Sequence, residues 1–264
     1  MKNKFTILGC GSSLGSPWIT NYSAKLKKNS KNIRTRCCAH IQKGDLSILI
    51  DTSPDIRNQF LKNKIKSLDA IVYTHEHADH VHGIDDLRMI FFNMRKRINV
   101  WADTKTQEAL LQKFGYTFIQ AEGSPYPPIL EMSTINGQFS IGGPGGEITF
   151  NPFEVQHGTI TSLGLRIDDV TYIPDISAMN EIAWDQIKKT NIWILDALRR
   201  TPHQSHTHLS QSLEWIEKSG VEKGILTNMH IDMDYETLLN ELPSNVEPAY
   251  DGMRLTSSHN AVTK

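Results

Sequence analysis

An α/β fold with two similarly built halves is predicted by three observations. Short β-type runs recur along the 264 residues. Several are almost continuously apolar, the pattern of strands buried on both faces. Amphipathic helical stretches sit late in each half, after its first strands. The length is high for one domain but within the range of α/β folds, so one domain spanning residues 1–264 is expected.

Each element has its own signal. KFTILG (4–9) opens the chain as a strand, followed by LSILID (46–51). SPDIRNQFLKNK (53–64) carries Ile56, Phe60 and Leu61 at helical spacing. DAIVYT (69–74) is a strand, GIDDLRMIFFNMRK (83–96) a helix and INVWAD (98–103) a strand. INGQFSIGGPGGEI (135–148) has the turn chemistry of a hairpin or loop. ITFNPFEV (148–155), LGLRID (163–168) and VTYIPD (170–175) are strands, followed by the helix SAMNEIAWDQIKK (177–189). The strand IWILDA (192–197), the helix LSQSLEWIEKSG (209–220), the strand GILTNM (224–229) and the helix DYETLLNEL (234–242) complete the second half.

Composition narrows the class. Apolar residues make up 39% and charged residues 22%, an ordinary globular profile. The net charge of −1 gives no global field toward nucleic acid or membrane. Three cysteines, Cys10, Cys37 and Cys38, are too few and too close for a disulfide scaffold and point to a reducing compartment. No signal-peptide core and no long apolar run occurs, so a cytoplasmic protein without a membrane partner is expected. KLKKNSKNIRTR (25–36) has six basic residues and no acidic one; it reads as a solvated loop or as a basic flap over an anionic substrate.

The strongest chemical signal is THEHADHVHG (74–83). It places His75, His77, Asp79 and His80 within six positions, directly after an apolar strand. Neutral imidazoles and carboxylates are ligands for zinc or manganese. In an extended chain His75 and His77 project to the same side, and the following turn brings Asp79 and His80 beside them.

The H-x-H-x-D-H pattern resembles the metallo-β-lactamase superfamily. The resemblance continues in the family's order: LID (49–51), the late His157 in VQHGT, Asp175 in IPDIS, and a final histidine after a strand. The endings DALR (196–199), SHTHLS (205–210) and AYDGMRL (249–255) are similar to the subgroup of the phosphonate-pathway cyclic-phosphate phosphodiesterase, with ribonuclease Z more distant. The resemblance implies an αββα sandwich of two mixed β-sheets flanked by helices. It also implies two divalent metal ions: His75, His77 and His157 on the first, Asp79 and His80 on the second, and Asp175 bridging. Such a pair shares a hydroxide and clamps a phosphoryl oxygen. Asp79 and His206 are the implied catalytic residues, His206 as general acid or phosphate contact. Asp51 is expected to hold a ligand histidine in one tautomer, with a helix cap as the alternative. His208 is a second substrate contact or a helix N-terminal residue. His82 is expected to lie outside the ligand set.

Two departures from the family stand out. The loop after the first strand lacks the subgroup's structural-zinc cysteines, and Ile231 stands where its late histidine would be. Cys37 and Cys38 then read as buried small apolar residues. The position of the final ligand histidine falls on Asn228, and His230 follows two residues later. In extended backbone His230 projects to the same side as Asn228, so it is the expected replacement ligand. The implied activity is hydrolysis of a small, cyclic, ribose- or nucleoside-containing phosphodiester, giving a nucleoside monophosphate-like product. The alternatives are a ribonuclease Z-like RNA-processing nuclease and a metal- and nucleotide-binding module that has lost catalysis. The expected partner is a small phosphodiester or nucleotide, ahead of nucleic acid, with a homodimer left open.

Overall fold

The computed structural model describes residues 2–20, 29–143 and 145–257. Fourteen strands form two seven-stranded mixed sheets. The first has the order β14-β1-β2-β3-β4-β5-β6, built from Lys4–Gly9 (β1), Cys38–Lys43 (β2), Leu46–Ile50 (β3), Ala70–Val72 (β4), Ile98–Ala102 (β5), Leu130–Thr134 (β6) and Met253–Thr256 (β14). The second has the order β13-β12-β11-β10-β9-β8-β7, from Phe139–Gly143 (β7), Gly146–His157 (β8), Ile160–Ile167 (β9), Val170–Ile173 (β10), Ile192–Asp196 (β11), Lys223–Thr227 (β12) and Val246–Pro248 (β13). In both sheets antiparallel pairs give way to parallel ones, at β3–β4 and at β10–β11. The parallel pairs need crossovers, and the helices supply them. They are Ile56–Asn63 (α1), Ala78–Val81 (α2), Arg88–Met94 (α3), Thr104–Phe118 (α4), Glu181–Ile187 (α5), Leu209–Ser219 (α6) and Tyr235–Glu241 (α7).

The expected strands and helices form, most of them shortened at their ends while β8 and β9 run longer, and β7 and β8 pair antiparallel as the hairpin reading of this region expects. Two helices have no counterpart in the sequence reading, the single turn α2 and the longer α4. α4 is capped by Asp103, whose carboxylate accepts the Thr106 amide at 2.8 Å, and buries Leu110 and Phe118. β2, β6, β13 and β14 are further additions. The core lies in two bodies. One includes Phe5, Ile41, Ile50, Phe150, Leu165 and Tyr172, with the Phe5 and Tyr172 rings 5.7 Å apart. The other joins the first sheet to its helices through Leu49, Ile56, Phe60, Ile71 and Ile84.

His40 on β2 is 6% exposed, and its Nε2 lies 2.8 Å from the Ser47 hydroxyl. Burial lowers its pKa to about 4. The folded state therefore resists a proton that the unfolded chain accepts near pH 6.5. The contribution to stability is complete above pH 6.5 and is lost as pH falls toward 4. Between pH 7 and pH 5 we expect the protein to lose about 2 kcal/mol more than His40→Gln, read by urea unfolding. Parallel pH curves would show that His40 does not titrate in this way.

The described part of the basic segment is docked and does not form a free flap. Arg34 is 2% exposed and donates to the backbone carbonyls of His230, at 3.3 Å, and Met233. Lys31 lies 4.2 Å over the Tyr235 ring, and Arg36 pairs with Asp55 at 3.0 Å. Residues 25–28 lie outside the described residues. Cys10, Cys37 and Cys38 are free and buried.

Candidate metal centre

Every residue of the centre closes or follows the carboxyl end of a strand, where loops from open α/β sheets converge. His75 and the turn to His80 follow β4, and His157 closes β8. Asp175 follows β10, Asp196 closes β11 and Asn228 follows β12. Asp51, just after β3, takes a left-handed φ of 62°. That sharp turn aims its carboxylate back across the sheet end. It accepts the Thr74 amide at 2.8 Å and the Thr74 hydroxyl at 2.9 Å, and lies 2.7 Å from His80 Nδ1.

The structure brings the sequence-predicted ligands together. Single donor atoms of His75, His77, His157 and Asp175 all lie within 4.8 Å of one another. The two oxygens of Asp175 face different groups. Oδ2 is 3.3 Å from His157 Nε2 and 3.6 Å from His75 Nε2, while Oδ1 is 3.2 Å from His80 Nε2. Asp79 Oδ2 lies 3.5 Å from the same His80 nitrogen. His77 is the exposed member, with Nδ1 3.0 Å from His157 Nε2.

This donor set fits metal ions. His75 Nε2 and His80 Nε2 are buried with no hydrogen-bond partner, a costly state for a polar atom. The other nitrogens of the cluster are oriented by protein groups. Asp51 faces His80 Nδ1, the Ser205 carbonyl lies 2.6 Å from His157 Nδ1, and the Thr74 hydroxyl lies 3.0 Å from His75 Nδ1. Holding the far ring nitrogen leaves Nε2 as the donor atom for a cation. Burial and the neighbouring imidazoles push the pKa of His75 well below its ordinary value, so it is neutral and able to ligate. Burial opposes charge on Asp175, but His80 and the other imidazoles outweigh it and hold the carboxyl well below the usual range.

A family model described as "Beta-lactamase superfamily domain" matches residues 47–231. The chain belongs to the beta-lactamase superfamily. It is 30% identical over 257 residues to an octanoyltransferase from Porphyromonas gingivalis (strain ATCC BAA-308 / W83), across 94% of this chain and 50% of that protein. The chain thus spans about half the length of this curated relative. A crystal structure of a new diphosphatase from the PhnP family is 31% identical with a TM-score of 0.87, covering 96% of this chain and 97% of that one. The short form of human tRNase Z shares the fold, with a TM-score of 0.67 at 14% identity over 96% and 98% of the two chains. These matches agree with the αββα sandwich expected from the H-x-H-x-D-H motif.

Within this superfamily fold, the end of β12 departs from the sequence expectation. Asn228, not His230, lies against Asp175. Its buried side-chain amide donates to Asp175 Oδ1 at 3.3 Å and to Asp196 Oδ1 at 3.2 Å. His230 turns elsewhere: Nδ1 is 2.6 Å from Asp232, and the ring packs edge-on against Trp18 at 4.6 Å. The physical reason is local. β12 ends at Thr227, and Asn228 takes a left-handed φ of 58°, so the two-residue alternation of a strand is broken before His230.

Asp196 had no assigned role in the sequence, although DALR marked its position. It is fully buried, and its Oδ2 lies 2.7 Å from His206 Nδ1. Burial opposes charge on His206, but Asp196, with Asp175 and Asp79 beyond it, pushes its pKa up to about 9. The His206 ring lies 4.6 Å from that of His157. His208 is half-buried and caps α6 through its backbone only, with no side-chain cap bond. His82 packs on Phe114 at 5.6 Å. A glycine-rich turn after β1, GCGSSLGS (9–16), adjoins the same strand ends: the Ser12 amide donates to the Met229 carbonyl. A Cβ on Gly11 would stand 2.9 Å from the Arg34 carbonyl, so the close approach requires glycine.

Proposed function

We propose that this chain is a metal-dependent phosphodiesterase. It would hydrolyse a small, cyclic, ribose- or nucleoside-containing phosphodiester and leave a nucleoside monophosphate-like product. The carrying observation is Asp175, whose two oxygens face two imidazole groups and so suit a bridge between two divalent cations. His75, His77 and His157 would hold one cation, and Asp79 and His80 the other. Bound there, zinc or manganese ions would supply a nucleophilic water and offset the charge that builds at phosphorus.

The remaining work falls to the chain. Hydrolysis adds OH to phosphorus and a proton to the leaving oxygen as the P–O bond breaks. With Nδ1 tied to Asp196, His206 offers Nε2 as the proton donor. Asn228 holds Asp175 and Asp196 in fixed relation by donating to both. The diphosphatase relative supports phosphoryl chemistry. The octanoyltransferase name belongs to a protein of which this chain matches half, and all three cysteines here are buried, away from any acyl nucleophile role. A small substrate is favoured over RNA because Lys31, Arg34 and Arg36 are engaged within the fold.

The direct test is elemental analysis combined with turnover of bis-p-nitrophenyl phosphate and 2′,3′-cyclic nucleotides. Two metals per chain with no turnover of any phosphodiester would overturn the assignment. The geometry at β12 adds a further expectation. Asn228→Ala should lower turnover about tenfold or more, because a buried carboxylate loses its donor, while His230→Ala should have less effect on metal content. Asn228→His should tighten binding of the second cation in chelator competition, since histidine tolerates a left-handed φ. A larger loss of metal from His230→Ala would return the ligand role to His230.

A further inference from the structure

One face of the first sheet carries a cavity that the metal centre does not use. Side chains alternate along β1, β2 and β14. Phe5, Ile41 and Leu255 enter the core, so Lys4, Thr6, His40, Gln42, Arg254 and Thr256 share the opposite face. The register sets them in two rows. Thr6 lies between His40 and Arg254, and Lys4 between Gln42 and Thr256. The turn after α1 walls this face and is fastened on three sides. Asn63 stands beside Gly252, where a Cβ would lie 3.8 Å from its Oδ1. The Ser67 carbonyl accepts the Ser47 hydroxyl at 2.9 Å, and the Lys66 carbonyl accepts the Asn93 amide at 3.0 Å. Between the two rows and residues 63–67 lies a cavity of about 550 Å³. Ser47, on its lining, precedes Asp51 by about 13 Å of extended chain, so cavity and metal centre sit at opposite ends of β3.

Two properties of the cavity define a ligand. Lys4, Lys64, Lys66 and Arg254 line it, and among the described residues none of these side chains has a carboxylate within salt-bridge range. Asp45, at the β2–β3 turn, is the one acid of the lining. Four cations around one hollow suit a multiply charged anion. His40 adds the opposite function. The Ser47 hydroxyl gives its proton to the Ser67 carbonyl, so its oxygen accepts from His40 Nε2, 2.8 Å away. Burial keeps the ring neutral, and Nδ1 is left with a lone pair. Among the described residues nothing donates to it. His40 is 6% exposed and lines the cavity, so the donor that this acceptor lacks must come from what the cavity holds.

We propose that this cavity binds a small organic polyphosphate. The phosphates lie among Lys4, Lys64, Lys66 and Arg254, and a hydroxyl or amino group of the organic part donates to His40 Nδ1. The inference is independent of the phosphodiesterase reading, because no residue of the metal centre takes part.

Calorimetry and hydrogen exchange with ATP and with tripolyphosphate test it, on the metal-loaded and the chelator-treated protein. ATP should slow exchange in β1, β14 and residues 63–67 in both preparations. The double variant Lys64→Glu/Lys66→Glu reverses two exposed charges. It should weaken both probes about tenfold or more and leave turnover of bis-p-nitrophenyl phosphate unchanged. His40→Gln keeps an N–H for Ser47 and removes the ring acceptor. It should weaken ATP about fivefold, the worth of one hydrogen bond, and leave tripolyphosphate unchanged. Unchanged affinity in the lysine double variant, or protection confined to the metal rim, would overturn the site. Equal effects of His40→Gln on the two probes would remove the organic group from His40. An RNA oligonucleotide that binds more tightly than ATP, and is weakened by the same double variant, would overturn the small ligand in favour of a nucleic-acid backbone.

Discussion

Replacing Asp175 by alanine is expected to lower phosphodiester turnover by about a thousandfold or more and to reduce bound metal to one ion or fewer per chain. Asp175 is 2% exposed and sits between His75 and His157 on one side and His80 on the other. No neighbouring carboxylate can take over both faces. Asp79 reaches His80 but makes no contact with His75 or His157 among the described residues, and Asp196 is committed to His206, Asn228 and the Ile176 amide. Thermal unfolding provides an independent reading. Ions that bind only the folded chain raise its melting temperature, with the logarithm of their concentration over Kd. Added zinc or manganese should therefore raise Tm in the wild type and much less in Asp175→Ala, while the two chelator-treated proteins differ little. Asp175→Asn separates charge from shape, since the amide keeps the volume and loses the anion. Should Asp175→Ala retain two ions and wild-type turnover, the bridging role is wrong.

The parts of the site differ in how far the sequence exposed them. His75, His77, Asp79 and His80 were legible because one turn supplies all four, and spacing within a turn is a local property. His157 and Asp175 carry little local signal. They were recognised by their order along the chain, and the fold joins them because β8 and β10 end at the same rim. Asp196 shows the limit of that approach. It closes an apolar strand, where an acid reads as a terminus, and only three-dimensional packing reveals that both oxygens are occupied. His230 lies away from Asp175 for a different reason. The expectation extended the strand alternation past Thr227, and a single left-handed residue at Asn228 removed its basis. The basic segment misled similarly, because a run of charges does not disclose that Arg34 is buried as a brace for the loop from His230 to Met233. At the level of fold, the alternation of strands and helices was legible. The helix α4 was missed although Asp103 offered an N-cap and Leu110 and Phe118 supply its buried face.

Asp196→Asn is the second substitution with a large expected effect, and it separates proton transfer from metal binding. The carboxylate holds His206 Nδ1 at 2.7 Å and favours the imidazolium that gives up a proton from Nε2. An amide in its place must direct its single oxygen either to the Oδ2 side, where the Ile176 amide (3.1 Å) and the His206 ring both stand, or to the Oδ1 side, where Asn228 donates. If the oxygen serves Asn228, an NH2 group faces the imidazole N–H, and the ring loses both its charge partner and its orientation. We expect kcat to fall by about 10²–10⁴-fold for diesters with alkoxide leaving groups. For p-nitrophenolate, which departs without a proton, the loss should be much smaller. Metal content should stay near the wild-type value, because Asp196 faces His206 and Asn228 rather than the metal-facing imidazoles. His206→Ala should show the same dependence on leaving group, and the double variant should be little worse than either single one, as expected of residues acting as a unit. Additive losses, or equal losses for both leaving groups, would mean that the pair shapes the site without donating the proton.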